Sequence, residues 1–252
     1  MRIIRAAGWS FLAASLSLGG PGLMADTVTL DALPGYYPGF GGGEFTAYAS
    51  QNYLGNYNQG AVVNGGFATF CLESGVLFYP GTTYYDTLGT VTQPTPVNQS
   101  AGSGLSLSTG AAWLYYQFAA SGSSLAGFDY APGAGRQADD NLLQLAIWAF
   151  QGGQNYYTYN GIPATVGNPF YEAAITALGG VTNAETAYAG GGVKVLQLWE
   201  NPDDTGPAQN QLVLTGVDPD PSDWSVPDGG LTAGLLGGAL VALQSWRGRR
   251  LC

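Results

Sequence analysis

Forty glycines and 14 prolines among 252 residues leave this chain few uninterrupted stretches long enough for a helix. Glycine costs about 1 kcal/mol in a helix interior relative to alanine, and proline about 3 kcal/mol. Neither residue recurs with the three-residue period of a collagen chain. Such punctuation permits a strand-and-turn protein carrying a few helices. Apolar residues make up 46% of the sequence, with 16 Tyr, 10 Phe and 6 Trp, enough to bury the core of one sizeable domain. The expected fold is α+β: a β-rich sheet or sandwich with two or three packed helices.

The candidate elements lie between the breaks. Glu44 to Ala49 and Gly66 to Leu72 read as short strands, and Val193 to Trp199 and Gln211 to Val217 as strands closing a sheet. Thr109 to Ala120 suits a buried helix. After a loop from Gly122 to Gln137, Asp139 and Asp140 supply N-terminal acids to a helix over Asn141 to Phe150, which Gly152 and Gly153 stop. A third helix is expected over Pro169 to Leu178, with Asn168 as N-cap and Pro169 in the first position.

Both ends read as targeting segments. Residues 1–25 carry Arg2 and Arg5 and then an apolar run from Ala6 to Leu18, the pattern of a secretory signal cut near Asp26. Residues 26–217 form the domain and 218–225 an acidic linker. In residues 226–252, Val226, Pro227, Asp228, Gly229 and Gly230 precede an apolar stretch from Leu231 to Leu243, followed by Arg247, Arg249 and Arg250. This tail resembles the PEP-CTERM class of bacterial sorting signals in its VPDGG-type variant. The resemblance implies transient insertion of the tail in the inner membrane, processing by an exosortase, and delivery to the cell envelope or extracellular matrix of a Gram-negative-type bacterium.

Removal of both ends leaves Arg136 and Lys194 as the basic residues of the body, against 16 of the 17 acids. So acidic a body does not bind nucleic acid through a basic patch. No EF-hand spacing accompanies Asp203, Asp204 or Asp218 to Asp223, and no metal site or cofactor is expected. Cys252 leaves with the tail, which makes Cys71 the remaining thiol and excludes an intramolecular disulfide. The chain contains no histidine, so a cysteine hydrolase with a His base is excluded as well.

Two segments carry the functional signal: Phe70-Cys71-Leu72-Glu73, and Leu143-Gln144-Leu145-Ala146-Ile147-Trp148. Together they resemble the paired motifs of the bacterial thioester domains of surface adhesins, in which a cysteine and a glutamine form an internal thioester. Gln144, Ala146, Ile147 and Trp148 match the glutamine motif, while Leu143 stands where the adhesins commonly have Thr. The resemblance implies that Cys71 attacks the Gln144 carboxamide and expels ammonia. A surface amine or hydroxyl on a host, a cell or a matrix polymer then attacks the acyl carbon, giving one covalent attachment per molecule rather than enzymatic turnover.

That chemistry sets requirements. An amide is a poor electrophile, so thiol and carboxamide must be pressed together, where proximity can lower the barrier by ~7–11 kcal/mol. With no histidine available, Glu73 is the candidate proton carrier, since alternation on a strand places it on the Cys71 face. Trp113, Tyr116 and Trp148 are candidate pocket walls that exclude water. The alternative is a non-covalent structural or polysaccharide-binding component of the matrix, with the motif pair serving as scaffold.

Overall fold

The computed structural model describes residues 26–39, 42–51, 62–92, 104–120, 125–152, 158–216 and 224. The expected signal segment, the sorting tail and the linker other than Trp224 lie outside the described residues.

The fold is α+β and β-rich. Seven antiparallel strands form one sheet in the order β3-β4-β2-β1-β5-β8-β9, where β1 is Thr27–Asp31, β2 Phe45–Ala49, β3 Val62–Val63, β4 Gly66–Thr69, β5 Thr83–Gly89, β8 Val193–Trp199 and β9 Gln211–Leu214. A separate hairpin pairs β6 (Thr158–Tyr159) with β7 (Ile162–Pro163). Four helices complete the described structure: α1 (Thr109–Ala119), α2 (Ala134–Phe150), α3 (Pro169–Ala177) and α4 (Val181–Ala184). Among the described residues no helix is long and apolar enough to cross a membrane.

Strand alternation sorts the core into two layers. Val193, Val195, Leu212 and Leu214 pack with α1, α3, Phe70 and Leu72, whereas Leu196, Leu198 and Val213 pack with Val28, Leu30, Phe45, Phe67 and Cys71. Helix α2 serves both, giving Leu143, Ala146, Ile147 and Phe150 to the first layer and Leu145 and Trp148 to the second. A helix used on nearly every side must be apolar nearly all round, as this one is from Leu142 to Phe150 apart from Gln144.

Local signals explain most of the helix boundaries. The Ser108 hydroxyl accepts from the Ala111 N–H to start α1. Asn168 caps α3 through the N–H groups of Phe170 and Tyr171, and its amide donates to the Leu142 carbonyl, fixing α3 against α2.

Several boundaries differ from expectation. Helix α2 starts at Ala134, so Asp139 and Asp140 lie inside it rather than at its N-terminus. Its first turns show no apolar stripe because Arg136, Asp140 and Asn141 are the residues buried there, and an ion pair does the packing. Strand β9 ends at Leu214. The run from Gly66 to Leu72 divides: β4 pairs with β2 as far as Thr69, and the next three residues pair elsewhere.

That second pairing curls the sheet on itself. The Leu72 N–H donates to the Asn210 carbonyl at 3.0 Å and the Leu212 N–H to the Phe70 carbonyl at 3.1 Å. These bonds bracket an antiparallel bridge between Cys71 and Gln211. The end of β4 thereby meets β9, at the opposite margin of the sheet, and Cys71 lies on the seam.

Candidate functional site

Gln144 and Gln211 both converge on Cys71. On the helix side, Arg136, Asp140, Gln144 and Trp148 recur every fourth residue along α2, forming a buried stripe that begins polar and ends in an indole. The Gln144 Oε1 accepts hydrogen bonds from the N–H of Gly43 at 2.9 Å and of Cys71 at 3.0 Å. Its Nε2 donates to the Cys71 carbonyl at 2.8 Å. The register of β2 with β4, Phe45 opposite Thr69, would set Gly43 opposite Cys71. The carboxamide is inserted there instead, standing in for a strand neighbour and satisfying both backbone groups of Cys71.

Gly42 makes room for this insertion. A Cβ at that position would lie 2.6 Å from the Trp148 ring and 3.0 Å from Gln144 Cγ. Next along the chain, Glu44 receives two hydrogen bonds from Arg136, Nε to Oε2 at 2.6 Å and Nη2 to Oε1 at 2.8 Å. Burial raises the pKa of Glu44, against the pull of Arg136. Asp140 is raised strongly, first by burial and then by the Glu44 charge.

On the strand side, Cys71 and Gln211 face one another as a pair bracketed by, rather than joined by, ladder hydrogen bonds. In this type of antiparallel pair the side chains approach more closely. The Gln211 Nε2 donates to Cys71 Sγ at 3.5 Å, and its buried Oε1 has no hydrogen-bond partner among the described residues. Burial pushes the Cys71 thiol up to about 12; the Gln211 contact opposes this and the Glu73 charge adds to it. The sulfur is therefore a protonated thiol at neutral pH.

Glu73 lies on the same seam. Its carboxylate accepts from the Asn210 backbone N–H at 3.2 Å and from the Asn210 side-chain amide at 2.5 Å. The Glu73 carbonyl accepts from the Gln209 amide. Burial raises the Glu73 carboxyl to about 7, with Asn210 and the Thr92 hydroxyl holding it back. Gln209, Asn210 and Gln211, three consecutive buried carboxamides, thus all engage the segment from Cys71 to Glu73.

Trp148 packs in the core layer that holds Cys71. Trp113 and Tyr116 pack instead against the other layer, where the Tyr116 ring lies 5.6 Å from that of Trp224. Sequence reasoning missed Gln211, the Gly42–Gly43 approach and the Arg136–Asp140 stripe. Three carboxamides in a row at the head of an apolar strand were the available signal for the first, because buried amides demand partners.

Among the described residues no group of three or more His, Cys, Asp or Glu side chains is placed to hold a metal ion. Comparison with protein-family models, with curated proteins and with solved structures finds no match to this chain.

Proposed function

We propose that this is an exported surface or matrix protein that attaches covalently to a target through an internal thioester at Cys71, with Gln211 as the acyl partner and Gln144 as the clamp. One observation carries the assignment of partners. The Cys71 sulfur touches the Gln211 carboxamide, whereas every strong hydrogen-bonding position of the Gln144 amide except one N–H is already used by backbone. Attack on Gln144 would have to sacrifice its bond to the Cys71 carbonyl, while attack on Gln211 gives up only a weak contact to sulfur. On this reading the acyl partner of Cys71 lies across the seam rather than on α2, where the motifs alone would put it.

The reaction balances without a co-reactant. The Cys71 thiol adds to Cδ of Gln211, the Cδ–Nε2 bond breaks, the thiol proton ends on nitrogen, and ammonia leaves. A primary amine or hydroxyl of the target later attacks Cδ, forms an amide or ester, and returns the thiol. Because the acyl group is consumed once per molecule, the protein is a tether and not an enzyme. Complete burial of Cys71 and Gln211 limits competing hydrolysis. The VPDGG-type tail and the N-terminal apolar segment support export and exosortase processing.

Intact mass spectrometry of the purified chain tests the reading. A species lighter than the translated chain by one ammonia is expected, Cys71→Ala should lack it, and methylamine should add and expose a titratable thiol. Peptide mapping should find Cys71 joined to Gln211. A join to Gln144 would restore the motif-based pairing. An unmodified mass with a free thiol would leave the non-covalent matrix component as the better reading.

A further inference from the structure

We infer that Glu73, held in place by Asn210, carries the proton from the Cys71 thiol to the departing nitrogen of Gln211. This inference rests on the thioester reading above. It starts from a chemical need: a buried protonated thiol attacks poorly unless a base removes its proton, and an amide nitrogen leaves poorly unless an acid supplies one. A single carboxyl that first accepts and then donates meets both needs and returns to its starting state.

The seam places Glu73 for this work. It stands two residues from Cys71, and its carboxylate is fixed by the backbone and side chain of the residue that precedes Gln211. Asn210 therefore couples the carboxyl to the same strand end that presents the acyl carbon. The Glu73 carboxylate is met by Asn210 at the head of β9 and by the Thr92 hydroxyl, its backbone carbonyl is met by the Gln209 amide, and its charge acts on Cys71 two residues away. Of these only Cys71 titrates, and it does so far above neutrality. The other buried acids of the site, Glu44 and Asp140, act on Arg136 and on one another. With its carboxyl raised to about 7, Glu73 populates both forms near neutral pH, as a carrier must.

In step form, the Glu73 carboxylate takes the proton from Sγ as the Sγ–Cδ bond forms. The resulting carboxylic acid then protonates Nε2 as the Cδ–Nε2 bond breaks, and ammonia departs.

The test is the rate of ammonia loss after refolding the full chain from denaturant, followed by intact mass across pH 5–9. In the wild type the rate should climb as pH rises through about 7 and then level off, tracking the Glu73 carboxylate. Glu73→Gln should fold, lose ammonia roughly 10²–10⁴-fold more slowly, and show no such inflection. Glu73→Asp should recover part of the rate. Asn210→Ser keeps the carboxyl but removes a donor to its charged form, so the inflection should move to higher pH. Wild-type rate and profile in Glu73→Gln would overturn the assignment. If that variant does not fold, an unmoved inflection in Asn210→Ser overturns it instead. A wild-type chain that never loses ammonia, like Cys71→Ala, would remove the thioester reading itself, a result distinct from both.

Discussion

The two walls around Cys71 treat the same functional group in opposite ways. On the α2 wall, the Gln144 carboxamide has both atoms bonded to backbone, through three contacts of 2.8 to 3.0 Å. On the β9 wall, among the described residues, the Gln211 carboxamide has a single donor contact to sulfur and a buried oxygen with no partner. A buried amide saturated by backbone contributes to stability, whereas a half-satisfied one costs about 1–3 kcal/mol. The difference teaches where fold and chemistry would separate at this seam under the proposed function: the satisfied glutamine holds the cysteine, and the unsatisfied one reacts with it.

Paired truncations test that division most forcefully. Gln144→Ala strips partners from the Gly43 N–H and from both backbone groups of Cys71, and leaves a cavity. A loss of about 4 kcal/mol in urea unfolding is expected. Gln211→Ala leaves a cavity of similar size but loses one weak contact and removes an unpaired oxygen, so its cost should be smaller, about 2 kcal/mol, while ammonia loss disappears. Equal destabilisation by the two changes would erase the distinction between the walls.

The pH dependence of stability separates Glu73 from both glutamines. Its folded pKa of about 7 lies above the ordinary 4.5. The folded state therefore holds its proton more tightly than the unfolded chain does. The sign follows: the stability conferred by the bound proton is fully present below about 4.5 and is lost as pH rises through about 7. At ~1.4 kcal/mol per unit, the decline across pH 5–8 is on the order of 2–3 kcal/mol. Thermal or urea melts of Glu73→Gln should decline less than the wild type by that amount, the remaining slope coming from the raised Asp140 carboxyl. A wild-type curve flat across that window would show that the carboxyl is not held in a raised state.

What could be read in advance follows from how local each signal is. Helices α1 and α3 lie in chain segments that hold their own caps, Ser108 and Asn168, and β8 carries its own apolar pattern. The closeness of Gln144 to Cys71 was accessible through two motifs 73 residues apart. Gln211 was not, because its role depends on the register of a seam joining positions 140 residues apart, and one residue of slip would turn its side chain to the other face. The start of α2 was hidden for a related reason. Arg136 and Asp140 have the spacing of a solvated helix face, and only the approach of Glu44, 92 residues before Arg136, makes that face internal.

Gly42→Ala applies a smaller perturbation to one wall alone. The atoms nearest the added Cβ are the far edge of the Trp148 ring and the Gln144 side chain, both on α2. Overpacking of this kind, relieved by a shift of the indole, should cost about 1–2 kcal/mol in urea unfolding. Its effect on chemistry discriminates between the two glutamines. If Gln211 supplies the acyl carbon, the variant still loses one ammonia and maps to the same cross-link, at a reduced rate because the Cys71 backbone is less firmly held. If Gln144 supplies it, the substitution displaces the electrophile itself, and the yield of thioester should fall along with the rate. Full yield at a reduced rate supports the seam pairing; loss of yield in a folded variant argues for the helix.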